Sequence, residues 1–152
     1  MNGDPVFRLS YLRMRFSLVC IGLGVFIFVA GAKPNWFGWS TMPEVGFIQI
    51  IVFLTGLGLI CIGGFIGLSA LWGREQHSIL ADFGSRLIGT GYVIAVFAGM
   101  ADVFGLGAQT LPDIPYFGPL QAVGVLIGQF VIAAGFLMFI PYHLRWKEAT
   151  NE

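Results

Sequence analysis

The sequence predicts an all-α integral membrane protein of four transmembrane helices, and three observations carry that reading. Of its 152 residues, 57% are hydrophobic and only 11% are charged. The mean hydropathy of +0.83 is well above what a water-soluble domain shows. The apolar residues also gather into four runs, at about 16–32, 45–71, 87–104 and 119–142. At about 1.5 Å per residue, runs of this length suit a hydrocarbon core about 30 Å thick. Eight Lys and Arg balance eight Asp and Glu, so there is no basic excess to neutralise phosphates, and a nucleic-acid partner is excluded.

The first run follows Arg8, Arg13 and Arg15 and ends at Ala30-Gly31-Ala32, a pattern that mimics a secretory signal peptide with its small-residue cleavage site. Cleavage would leave three spans and an outside N-terminus, and the chain starts at Met1, so a retained helix is expected. The second run carries Gln49, Gly56 and Gly63 at intervals of seven, extended by Gly67. Seven residues make about two helical turns, so these positions share one stripe. The third run has a small-residue ladder of Gly91, Ala95 and Gly99, with Asp102 near its outer end. The fourth repeats the pattern of the second with Gln121, Gly124, Gly128 and Gly135. The first and third runs are short enough to span with little tilt, whereas the second and fourth can tilt or project into the headgroups.

Orientation follows from the basic residues, which are retained on the cytoplasmic side. Arg8, Arg13, Arg15, Arg74, Arg86, Arg145 and Lys147 fall on one side and Lys33 alone on the other. Both termini are therefore expected in the cytoplasm, with a bacterial inner membrane as the location. Trp36, Phe37, Trp39, Tyr116 and Phe117 outside, and Tyr11, Trp72, Tyr142 and Trp146 inside, are placed as an interfacial aromatic belt. The segment 73–85 mixes Arg74, Glu75 and Asp82 with Ile79, Leu80 and Phe83. It reads as a short helix on the inner leaflet, with Glu75 or Asp82 paired to a nearby arginine, or as a plain turn.

At an offset of 72, Gly46, Gln49, Gly56 and Gly63 correspond to Gly118, Gln121, Gly128 and Gly135, while Gly22-Leu23-Gly24 matches Gly89-Thr90-Gly91 more loosely. This predicts a duplicated helical hairpin, about 8–72 and 80–144, whose copies share one orientation. Lipid supplies no hydrophobic drive between helices, so small residues must bring backbones together. Gly56, Gly63, Gly67, Gly91, Gly99, Gly124, Gly128 and Gly135 are the expected packing positions, within one bundle or along a seam between copies.

No ionisable residue lies near the middle of a run, where a functional charge would be placed at a cost of at least ~2.5 kcal/mol. Asp102 reads as a cap or loop anchor, with Lys33 as a possible partner. Gln129 is the deepest strongly polar side chain, roughly 16 Å from the start of its run, and Thr55, at a similar depth, or a backbone group of a neighbouring helix is its expected partner. The alternative is a polar cavity with Gln49 and Gln121 at the rim and Gln129 as the floor. Cys20 and Cys61 fall inside runs and read as structural thiols. His77 and His143 lie on the inner side without other ligand spacing, so haem or metal binding is a weak option.

These features favour a non-catalytic membrane protein contacting lipid, acting as an accessory or structural subunit in a larger membrane complex or as a homo-oligomer. Two other classes remain open. One is a small channel or carrier for a neutral solute lined by Gln49, Gln121 and Gln129, and the other is a membrane redox protein using His77 and His143.

Overall fold

Four apolar helices form the chain in a computed structural model, in which residues 5–33, 36, 38, 47–72, 78–101, 104 and 118–141 are described. They are α1 (Pro5–Ala32), α2 (Phe47–Trp72), α3 (Ile79–Gly99) and α4 (Pro119–Phe139). No strand occurs among the described residues. Each helix is long and apolar enough to cross a membrane. In hydrocarbon no water is present to satisfy N–H and C=O groups, so each span must pair them within itself.

α1 and α3 differ most from the sequence reading. α1 begins eleven residues before the apolar run, because helix continues through the arginines into the interface. α3 runs over 79–99 rather than 87–104. Residues 79–85 are therefore its first two turns and not a separate surface helix. Ser78 supplies the reason: its hydroxyl accepts from the Ala81 N–H at 3.2 Å, covering one of the donors a helix start leaves open. Asp82 follows in the first turn, where the helix dipole favours a carboxylate, and pairs with Arg86 at 3.1 Å. At the other end the Met100 N–H closes the helix on the Val96 carbonyl at 2.9 Å.

α1 packs on α2 and α3 on α4, both along their lengths. α2 also touches α3 and, more lightly, α4, while α1 approaches neither α3 nor α4. Alternating spacings of four and three set the α3–α4 seam. Its buried positions are Ala81, Gly84, Ile88, Gly91, Ala95 and Gly99 on α3, against Gln121, Val125, Gly128, Ile132, Gly135 and Phe139 on α4. All the α3 positions but Ile88 are Gly or Ala, so Ile132 of α4 lies over Gly91, and Ile88 in turn lies over Gly135 of α4.

The closest approaches lie at glycines. A Cβ on Gly24 would lie 2.8 Å from the Ile60 nitrogen and 3.0 Å from the Gly56 oxygen; one on Gly91 would lie 2.8 Å from the Ile132 nitrogen and 2.7 Å from the Gly128 oxygen. Gly56 rests on the Phe28 backbone, and Gly128 lies likewise on Ala95, whose nitrogen would be 2.7 Å from an added Cβ. Gly63 sits on Ile21, and Gly135 on Gly84 and Ile88. The α1–α2 and α3–α4 pairs join through Gly58 under the Tyr92 hydroxyl, Gly64 under the Phe136 ring, and Gly99 against Leu54, Ile50 and Val125.

Candidate functional site

The deep polar side chains come from different helices and divide into two kinds. Gln121 is buried and occupied. Its Oε1 accepts from the Gly118 N–H at 2.9 Å, half of a capping box, since glycine has no side chain to return the bond. Gln121 thus satisfies the start of its own helix and is absent from the cavity described below. Thr55 is exposed and donates to the Ile51 carbonyl at 2.7 Å. It is therefore not the partner expected for Gln129, because a threonine hydroxyl reaches its own i−4 carbonyl without crossing to another helix.

Gln49 and Gln129 are the second kind. Both are half-buried, and neither makes a hydrogen bond to another described residue. Among the described residues no side-chain nitrogen or oxygen is buried without a partner, so both amides keep accessible surface. They share one cavity of about 330 Å³. α2 forms its back wall, with Gln49, Ile50 and Phe53, while α1 and α4 flank it.

Local packing shapes those walls. Gly31 lets α1 close on α2, so that a Cβ there would lie 2.5 Å from the Phe53 nitrogen. The Phe53 ring then tilts against Phe28 with centroids 4.5 Å apart. Opposite, Val125 reaches the level of Ile50 and Leu54, all three meeting Gly99. Gln129 is one helical turn further along α4. Among the described residues no charged one lines the cavity. Lys33, which follows the lining residue Ala32, carries its ammonium over the Trp36 ring, 5.1 Å from the centroid.

Three further polar contacts hold the helices. Ser17 donates to the Gly63 carbonyl at 2.7 Å, fully buried, and its oxygen fills the space above Gly67. Trp72 donates to the Phe139 carbonyl at 2.9 Å. It is buried against the end of α4, where an indole N–H from α2 meets the carbonyl of its last helical residue. The Tyr92 hydroxyl points to the Leu54 carbonyl at 3.4 Å, a long contact. Tyr11, under Arg15, and Trp36 are exposed.

The packing glycines named from the sequence all sit between helices. Gly56, Gly63 and Gly67 face α1, Gly124, Gly128 and Gly135 face α3, Gly91 faces α4, and Gly99 faces both α2 and α4. Gly24, Gly31 and Gly84 do the same and were missed, although Gly24 had a signal in its match to Gly91. Phe28 and Phe53 gave none, because a cavity-lining phenylalanine and a lipid-facing one look alike in sequence. Cys20 is half-buried and Cys61 buried, both as free thiols. Asp102, His77 and His143 lie outside the described residues, as do Trp39, Tyr116, Tyr142 and Trp146. Among the described residues no group of three or more His, Cys, Asp or Glu could hold a metal ion.

Compared with models of known protein families, with curated proteins and with solved structures, the chain matches none. Four apolar helices define it as an integral membrane protein in contact with lipid.

Proposed function

We propose that this protein is a non-catalytic membrane subunit, structural or accessory, working in a larger membrane complex or as a homo-oligomer. The observation that carries the proposal is the uncovered side of α1. Among the described helices this one packs on α2 alone, and Leu12, Phe16, Val19 and Leu23 are more than half exposed along it. Their spacings of four and three match those of a helix seam, and bulky side chains so arranged suit another helix as well as lipid. The glycine stripes are occupied inside the hairpins, so a contact between chains would use this bulky face.

The same reading takes the chain as two tandem hairpins with both termini in the cytoplasm of a bacterium. The matching Gly24, Gly56 and Ile60 contacts and Gly91, Gly128 and Ile132 contacts support duplication. The seven-to-one distribution of basic residues supports the orientation. Native mass spectrometry of protein gently extracted from its own membrane tests the assignment. Fixed companions or a defined oligomer are expected, and a lone 16.5 kDa chain would refute it.

A carrier or channel for a neutral solute is the second reading, favoured by the cavity that Gln49 and Gln129 share. Gln121 contributes no lining there. Flux into liposomes that is lost in Gln129→Leu while the fold is retained would support it over the subunit reading.

A further inference from the structure

We infer that the cavity between α1, α2 and α4 is a binding site for an uncharged, lipid-soluble molecule bearing carbonyl or hydroxyl oxygens, the chemistry of a quinone or quinol headgroup. The inference is independent of whether the protein is a subunit, since it rests on the cavity alone.

Five observations define the occupant. The cavity holds about 330 Å³, at the small end of the ~300–1,000 Å³ typical of small-molecule sites, and enough for a substituted ring with the start of its tail. Its flanks are α1 and α4, whose backbones do not pack together, so the way in lies between two lipid-facing helices and the molecule enters from the bilayer. Among the described residues its lining has no charge, so an ionic headgroup would find no counter-charge among them.

Two amides, Gln49 on α2 and Gln129 on α4, line it without a partner among the described residues. A bare acyl chain would leave both unpaired in an apolar setting, which is costly. A molecule with two separated oxygens satisfies both, because each amide can donate to a carbonyl or accept from a hydroxyl. The tilted Phe28 and Phe53 rings supply an aromatic wall for a planar ring.

The test uses the whole chain in lipid nanodiscs, titrated with decylubiquinone, with n-decane as a competitor that carries the tail and no ring. Bound probe is counted by mass spectrometry, and folding is followed by circular dichroism. Saturable binding of one probe per chain is expected, with decane a poor competitor. Gln49→Met and Gln129→Met should each weaken binding about tenfold, the loss expected of one hydrogen bond in an apolar site, and Ala122→Phe should abolish it by filling the cavity. The proposal is overturned by unsaturable uptake, by equal competition from decane, or by glutamine variants that bind as the wild type does. Should Gln129→Met fail to fold, Gln49→Met, in the first turn of α2, decides the matter alone.

Discussion

The hydroxyl of Ser17 donates to the carbonyl of Gly63 at 2.7 Å across the α1–α2 seam, at a point where both residues are buried. Gly67, one turn beyond Gly63, leaves the space that the serine oxygen fills. A single side chain therefore bonds one backbone turn and packs on the next. In lipid, where burial of apolar area does not favour one helix pairing over another, such contacts decide which helix lies against which.

Ser17→Ala should lower stability by about 1 kcal/mol, the usual size of one interhelical hydrogen bond in a membrane. Ser17→Leu should cost more, because its bulk would meet Gly67. Reversible unfolding in mixed detergent measures both, and equal stability of all three forms would show that the bond contributes nothing.

Glycines of the same helix should answer substitution in opposite ways. An added Cβ on Gly91 meets the backbone of Gly128 and Ile132 below 3 Å, whereas one on Gly89 meets nothing within 4 Å. Gly91→Ala is expected to cost about 1–3 kcal/mol through overpacking against backbone that cannot yield. Gly89→Ala should be neutral or raise stability by up to ~1 kcal/mol, since alanine is the better helix former. Thermal melts of the two variants, read side by side, check the contrast.

Trp72→Phe keeps an aromatic ring and removes the donor to the Phe139 carbonyl. The bond is buried between two helices, so a loss of about 1–3 kcal/mol is expected. Because the bond joins α2 to α4, protease or crosslinking assays should show the hairpins separating before either hairpin unfolds. Simultaneous loss of all helical signal in the variant would contradict this order.

Two other polar positions should be nearly silent. Thr55 bonds only within α2 and is exposed, so Thr55→Val should shift stability by less than about 0.5 kcal/mol. The Asp82–Arg86 pair is also exposed, with side chains 61% and 77% accessible. Arg86→Gln should therefore have an effect of similar size, weakened further by salt. A large change at either residue, seen in the same unfolding assay, would mean that it has a partner elsewhere in the assembled protein.

Hydropathy alone determined that this chain lives in a membrane and crosses it with four helices, because hydrocarbon forces each apolar run to satisfy its own backbone. The seven-residue glycine spacing on α2 and α4 was legible for the same kind of reason: it is written along one helix. Which surface each stripe meets was not. The partner of Gly63 is set by Ser17 and Ile21, residues whose inward direction has no polar contrast to reveal it in a helix apolar on every side. For the same reason nothing in the sequence showed that Trp72 would meet the end of α4, and Thr55 read as a partner for Gln129 until its hydroxyl turned to Ile51. The cavity, above all, belongs to the tertiary structure, since Gln49 and Gln129 lie 80 positions apart in the chain and line one space only because α2 packs with both α1 and α4 while the backbones of α1 and α4 stay apart.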